Sequence, residues 1–453
     1  MADISYIRQV CLDLISKEKR KPVFEILDFY FSRARTIEEY DVLGELSLKA
    51  ENRDLYLRCA ENAYSMASTP YEIHVSRINL YKAYQILNQP EKSLFYIDIN
   101  LKNNPDDFET LLQRAYALAL MGNKKESEDL IIKLSTRPEV ANNKEHQENI
   151  KFSLSGKLLR EGHTAQGILN FINTFKPSNE LFEKRLTMKK WEGIIQPGRT
   201  IYITGEGGIG DEIINIRFLK NLEELGMRPI LYSAWNMYRP DIVDLFRRHG
   251  YEVISETYSI NPDELWTYMM ALPGYLNLKE SDLWRGPYLT PLRNPKNLLT
   301  SKKFKIGIKC NGNPYFSQDQ YRSIPIEEFA AALPTDNDNV EVYFFDKEKT
   351  HEKFINLKDR LDTWEDTLDY IDQMDIIVSS CTSLVHAAGA IGKRTIVMVP
   401  IAEYYTWTST RTNNTTPWYG QNFTVLRQSK LRSWKEPLSE MRGLLDQIIT
   451  DIK

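Results

Sequence analysis

After Arg199 the sequence alternates short apolar runs with stretches of helical period. TIYIT, RPILYSA and YEVISE come first, then KFKIGIKC, VEVYFF, DIIVSS and RTIVMV, with helices such as DEIINIRFLKNLEELG and SLVHAAGAIG between some of them. Strand–helix alternation of this kind means parallel sheets. The stretch SDLWRGPYLTPLRNPKNLLTSKK, around 281–303, carries prolines and little period, and reads as a linker between two α/β subdomains. Two such subdomains facing each other form a cleft at the carboxyl ends of their strands, where ligands bind.

The first ~190 residues have a different grain, with few β-branched runs, almost no glycine and successive amphipathic helices. Cys59, Ser93 and Ser127 are small residues spaced by 34; Ala83 and Ala117, Ile97 and Ile131, and Leu87 and Met121 keep the same interval. That is the tetratricopeptide (TPR) spacing, in which small side chains let antiparallel helices approach closely. The segment PDDFETLLQRAYALALMGNKKESEDLIIKL from Pro105 resembles a TPR unit in its proline, its Gly122 turn and its Ala115 and Ser127. KLLREGHTAQGILNFI from Lys157 is a looser copy after an insertion, and the tryptophan and tyrosine of the ideal repeat are missing. An irregular helical bundle is the competing reading. Either way, stacked helices offer a concave surface suited to a partner or acceptor rather than to chemistry.

A chain of 453 residues is long for one domain. The expected boundaries are a helical repeat domain over 1–190, a first α/β subdomain over 199–300 and a second over 301–453. Net charge is −4, so nothing pulls the whole chain toward nucleic acid or acidic membrane. Cys11, Cys59, Cys310 and Cys381 are far apart and make no C-x-x-C pair, which argues against a disulfide scaffold or zinc site. The N-terminus has no signal-peptide pattern and no apolar run spans a bilayer, so a cytoplasmic location is expected.

GEGGIGDE, Gly205 to Glu212, follows TIYIT and satisfies G-x-G-x-x-G at Gly205, Gly207 and Gly210. A dinucleotide site also needs an acid at the end of the second strand, about 20 residues on. That strand, RPILYSAW, ends without one, and Asp241 lies beyond Arg239-Pro240. A P-loop is excluded because no Gly-Lys-Ser/Thr follows. What survives is a turn formed by Gly207, Gly208 and Gly210 at a helix start, with Asp211 in the first helical turn. Asp211 either caps that helix or acts as a general base toward an acceptor hydroxyl at the mouth of a cleft.

A second polar motif, DIIVSSCTSLVHAAGAIGKRTIVMVP, turns from a buried strand through Cys381, Thr382 and Ser383 into a helix with Leu384, His386 and several small residues. Free N–H groups at such a helix start suit phosphate oxygens; an ordinary capped helix with a satisfied histidine is the plainer reading. Upstream, the loop Asn311-Gly312-Asn313-Pro and Arg322 could present amides and a guanidinium to a diphosphate, unless Arg322 is a surface loop arginine. Downstream, Glu403, Tyr404, Tyr405, Trp407 and Trp418 lie in a long loop, where aromatics stack on a base or sugar or simply pack the loop.

In order, KKWEGIIQPGRTIYITGEGGIGDEI, GIKCNGNPYFSQDQYRSIPIEEF, SSCTSLVHAAGAIGKRTIVMVP and TTPWYGQNFTVLRQ resemble the heptosyltransferase-like glycosyltransferases of bacterial and phage type that carry an N-terminal TPR region. The resemblance runs from about Lys190 to the C-terminus. It implies an α plus α/β chain: TPR-like helical hairpins followed by the two Rossmann-like subdomains of the GT-B fold, acceptor side first and nucleotide-sugar donor side second. It implies an inverting transfer from a nucleotide-diphosphate sugar to a hydroxyl, with Asp211 as base and no cofactor or metal. The donor site would comprise Asn311, Gly312, Asn313, Arg322, Thr382, Ser383, Leu384, His386, Glu403 and Tyr404. One departure is Cys381, where the family usually has aspartate; a thiol does not supply that charge at neutral pH unless strongly activated. The acceptor stays open between a glycan, a protein and a modified nucleic acid, with the TPR-like region holding it or a protein partner. The alternatives are an interaction scaffold with a degenerate transferase half, and a sugar-nucleotide epimerase on the same two-subdomain fold.

Overall fold

The computed structural model describes residues 4–17, 19–172, 188–233, 239–254, 261, 263–314, 316, 318–402, 404–408 and 414–451. Contacts divide the chain into two units, Met1–Asn143 and Lys144–Lys453.

The first unit is helical: α1 Ile4–Ser16, α2 Arg20–Phe31, α3 Ile37–Lys49, α4 Arg53–Met66, α5 Pro70–Ile86, α6 Pro90–Asn103, α7 Phe108–Leu120, α8 Lys124–Ser135 and the short α9 Pro138–Ala141. Helices α3 with α4, α5 with α6 and α7 with α8 pack as hairpins. Their starts are written locally. Thr36 and Thr69 close capping boxes with Glu39 and Glu72, and Asp107 accepts from the Thr110 N–H. The small residues at the 34-residue interval, Cys59, Ala83, Ser93, Ala117 and Ser127, are all buried. Ser127 Oγ donates to the Ala115 carbonyl at 2.7 Å, so close helix approach also satisfies the Ser127 hydroxyl.

The second unit starts with another hairpin, α10 Lys144–Arg160 and α11 Thr164–Ile172. The sequence placed this pair in the repeat region that ends at 190; by its contacts it belongs with the sheets. Its Leu159, Ile168 and Ile172 share one core with Trp191, Ile201 and Ile203.

Two wholly parallel sheets follow. The first has the order β1-β5-β2-β3-β4, with β1 Lys189–Lys190, β2 Thr200–Thr204, β3 Arg228–Tyr232, β4 Val253–Ile254 and β5 Leu265–Tyr268. The second has the order β11-β10-β9-β6-β7-β8, with β6 Phe304–Lys309, β7 Val340–Phe344, β8 Ile355–Asn356, β9 Ile376–Ser380, β10 Thr395–Val399 and β11 Phe423–Arg427. Counted from β6, that order is the Rossmann arrangement 3-2-1-4-5-6 read from its other edge, and the first sheet repeats its 3-2-1-4 part with β1 added. These are two Rossmann-like halves, the arrangement that the resemblance implies.

Strand alternation sorts the core. Ile377, Val397 and Val399 face the core shared with the first sheet, while Ile376, Val378, Ile396 and Met398 face a separate core covered by the Lys435–Asp451 helix. The expected linker runs between the halves and is tied to both. Tyr288 and Leu289 donate their N–H groups to the Ala390 carbonyl at 2.9 and 3.1 Å, and the Tyr288 hydroxyl donates to the Ile213 carbonyl at 2.8 Å. In each sheet the order reverses beside the first strand, at β2/β5 and β6/β9. The glycine turn leaves β2, the Asn311–Asn313 loop leaves β6 and Cys381–Ser383 leaves β9, so all three motifs stand at switch points.

Candidate active site

The glycine turn is shaped around a carboxylate. Gly207 sits at φ +78°, and a Cβ there would lie 2.6 Å from Asp211 Oδ2, so both conformation and space require glycine. The Ile209–Asn215 helix begins after Gly208, whose N–H donates to Asp211 Oδ2 at 2.7 Å. Asp211 therefore does cap its helix, and it does so as part of a larger constellation. The Tyr404 hydroxyl is among the groups that favour the charge on the same carboxylate. Burial pushes the Asp211 carboxyl up to about 6, against the pull of the Gly208 N–H, the Tyr404 hydroxyl and the Arg322 charge.

Gly210 is where the two halves meet. A Cβ at this position would be 2.8 Å from His386 Cδ2 and 3.2 Å from Ser383 Cα, so the turn rests directly on the start of the Ser383–Ala390 helix. Thr382 is the N-cap residue, extended and buried, with its Oγ1 3.3 Å from Ser379 Oγ and no capping bond of its own. Thr382, Ser383 and Leu384 thus bring the helix start to the Asp211 turn. Leu384 is itself a core side chain.

His386 is placed differently from a ligand-facing group. It is buried, its Nδ1 lies 2.8 Å from the Tyr419 hydroxyl, and its ring stacks on Trp407 with centroids 5.4 Å apart. Burial, with Arg217 and Arg322 nearby, pushes it down to about 3, so the imidazole is neutral throughout the physiological range. Trp407 and Trp418 are equally buried, so these loop aromatics pack the core.

On the other side of the helix start, Arg322 lies flat across Gly312: a Cβ on Gly312 would come 2.1 Å from Nη2. Its Nε donates to Asp319 Oδ1 at 2.9 Å, its Nη1 donates to the Cys381 carbonyl at 3.1 Å, and the guanidinium sits 4.8 Å from the Phe316 ring centroid. Arg322 is therefore a half-buried strut that ties the loop after β6 to the turn after β9, with its charge felt at Asp211. Asn311 Oδ1 lies 3.5 Å from Cys310 Sγ, and Asn313 is exposed. Burial pushes the Cys381 thiol up to about 11 despite Arg322, so a neutral group stands where the resemblance expects a carboxylate. Glu403 lies outside the described residues.

Other residues complete the site that sequence reasoning did not single out. Glu206, within the glycine turn, is buried and accepts from the Met270 and Met269 N–H groups at 2.8 and 3.1 Å. Burial raises its carboxyl well above the ordinary value, those two bonds lower it, and Asp211 and Glu212 add repulsion. Asn215 donates to the Asp211 carbonyl at 2.8 Å and to the Tyr405 hydroxyl at 3.1 Å. Arg217, only 8% exposed, donates Nη1 to the Trp418 carbonyl at 3.0 Å and is ringed by Phe218, Trp284, Tyr288, Trp418 and Tyr419. The signal for Glu206 was on the page, as three acids within seven residues of a glycine turn.

Solved structures similar to this chain include TibC, a bacterial iron-containing dodecameric glycosyltransferase from enterotoxigenic E. coli H10407, at 10% identity over 57% of this chain and 78% of that one, with a TM-score of 0.40. Another is the E. coli ADP-heptose lps heptosyltransferase II, at 13% identity over 56% and 99%, TM-score 0.37. A third is an O-GlcNAc transferase mutant from Thermobaculum terrenum, at 11% identity over 99% and 93%, TM-score 0.38. No family model matches the chain, and no curated protein does.

Proposed function

We propose that the second unit is an inverting glycosyltransferase that moves a sugar from a nucleotide-diphosphate donor to an acceptor hydroxyl, with Asp211 as general base. The observation that carries this reading is the contact at Gly210, which sets a carboxylate from one Rossmann-like half against the helix start of the other. In the reaction the acceptor O–H gives its proton to Asp211 while its oxygen attacks the anomeric carbon. The bond from that carbon to the diphosphate oxygen breaks, and the leaving diphosphate gains negative charge. The N–H groups of Ser383 and Leu384, at the positive end of their helix, and the Arg322 guanidinium would face that charge. A carboxyl held at about 6 suits the task, being ionised at neutral pH yet more basic than an ordinary aspartate.

The helical first unit, with its stacked hairpins, would hold the acceptor or a partner. The donor binds without the family's aspartate, with Asn311, Gly312 and Asn313 beside Cys381. That substitution also motivates the second reading, a scaffold whose transferase half is degenerate.

Hydrolysis and binding of a panel of sugar nucleotides, wild type against Asp211→Asn, separates the two. Turnover lost with donor binding kept supports the base role. Equal rates would sink it, and no donor binding by either form would favour the scaffold.

A further inference from the structure

Arg217 is buried at the joint between the two Rossmann-like halves, and nothing in the proposed reaction uses it. It lies in the Ile216–Phe218 turn that continues the Ile209–Asn215 helix beyond Asp211. Among the described residues its Nε and Nη2 find no acceptor, and the bond it makes from Nη1 goes to the Trp418 carbonyl at 3.0 Å. A desolvated cation so sparsely hydrogen-bonded is costly, and an apolar side chain of its volume would fill the same place without that cost. What offsets it is aromatic. The ring centroids of Phe218, Trp284, Tyr288, Trp418 and Tyr419 lie 5.1–5.7 Å from its Cζ. Those rings come from three parts of the chain. Phe218 belongs to the first half, Trp284 and Tyr288 to the linker, and Trp418 and Tyr419 to the segment before β11 of the second half.

The box leads back to the Asp211 turn. The Tyr419 hydroxyl lies 2.8 Å from His386 Nδ1, and His386 Cδ2 is the atom that a Cβ on Gly210 would meet at 2.8 Å. From Gly210 the chain runs through Asp211 to Arg217, which closes a ring of contacts across the joint. Tyr419 has no room to retreat toward the Ser383–Ala390 helix, because a Cβ on Gly389 would come 2.3 Å from its Cε1. A second contact, polar and made by other helices, joins the same halves. Arg248 of the Pro240–Arg248 helix donates Nη2 to Glu365 Oε2 at 2.7 Å, and Asp241 Oδ2 accepts from the Trp364 N–H at 2.9 Å.

We propose that Arg217 is a positioning residue, a cation seated in an aromatic box that pins the two halves in one orientation and so holds the Asp211 turn against the Ser383 helix start. The link to catalysis rests on Asp211 being the reacting carboxylate; the pin does not. A cation suits the task because it attracts every ring of the box at once, and the rings belong to all three segments that meet there. A methionine in its place would fill the volume and attract none of them in this way. The halves therefore keep one placement instead of swinging about the linker.

The test reads the joint directly and leaves the native cysteines untouched. Ketone-bearing residues that take a spin label replace the exposed Glu223 of the first half and Gln447 of the second in the full chain. The distance between the labels is measured by double electron–electron resonance. Wild type should give one narrow distance. Arg217→Met, which keeps the bulk and loses the cation, should broaden it and add longer distances, and Arg217→Lys, which returns a cation to the box, should restore it. Trp284→Leu takes one ring from the box and leaves Arg217 in place, so it should broaden the distance even where Arg217→Met does not fold. A wild-type distance as broad as that of the variants, or a narrow one in folded Arg217→Met or Trp284→Leu, overturns the pin. In turnover of sugar nucleotides, Arg217→Met should lose kcat by about ten-fold or more with KM within about two-fold of wild type. A broadened distance with kcat unchanged overturns the positioning role. Should the distances behave as expected while wild type turns over no sugar nucleotide, the pin stands and the glycosyl-transfer reading fails.

Discussion

Asp211 holds its raised carboxyl at some cost to the fold. Its carboxyl sits above the ordinary aspartate value because burial outweighs its hydrogen bonds. Between that ordinary value and about pH 6, the folded chain keeps a proton that the unfolded chain has released. Stability contributed at this site is therefore full at low pH and falls as pH rises through about 6. Asp211→Asn should accordingly raise the melting temperature at pH 7, by an amount corresponding to about 1–2 kcal/mol, with the gap closing in melts below pH 4. The same substitution should abolish transfer, so gain of stability with loss of rate is the signature to look for. His386 works in the opposite sense. With its ring held down at about 3, the unfolded chain binds a proton that the folded chain refuses, so stability at this site falls as pH drops below 6.5. Its NMR signals should not titrate between pH 7 and 5, and a titrating ring would show that His386 reaches solvent or ligand. At this scale the glycine turn and the place of Asp211 in the first helical turn were legible, while its choice between cap and base was left open. His386 was legible only as an ambiguity, since a helical histidine among alanines is written the same way whether it points at a phosphate or at Tyr419.

Elements meet where side chains are missing. The Ile209–Asn215 and Ser383–Ala390 helices approach closely because Gly210 has no Cβ to put against His386 and Ser383. Gly210→Ala would force those two helix starts apart by a few tenths of an ångström or more, and the catalytic alignment is less tolerant than the fold. The expected outcome is a fall in kcat of ten-fold or more at a melting temperature within a few degrees of wild type. Equal losses of stability and rate would show that the contact is merely structural. The capping boxes that start α3 and α5 were not read from the sequence, whereas strands β2, β3, β4, β6, β7, β9 and β10 were readable as short apolar runs. Strands β5 and β11 were not read as such. LWTY leads without a break into the apolar Met269–Leu272, and FTVLR follows a tyrosine-glycine turn, so neither short run carries a period that separates strand from loop.

At the scale of the whole molecule, the informative boundary is the one between Asn143 and Lys144, where sequence periodicity and packing disagree. The helix α11 pattern continues the look of the repeats because an amphipathic helix is read the same way whether its apolar face meets another hairpin or a sheet. Only packing decides, and Leu159, Ile168 and Ile172 are buried in the core that also holds Trp191, Ile201 and Ile203. Removing those side chains would uncover apolar surface worth about 1.5–3 kcal/mol each, a sum comparable to the entire stability of an ordinary domain. Two truncations should therefore behave oppositely. A fragment of residues 144–453 should melt in one cooperative transition and keep donor hydrolysis close to that of the full chain, since its core is whole. A fragment beginning at residue 188, close to the boundary the sequence suggested, should lose cooperative melting and bind hydrophobic dye. Calorimetry of the two fragments decides the matter. If the shorter one melts as sharply as the longer, α10 and α11 are an accessory to the sheets.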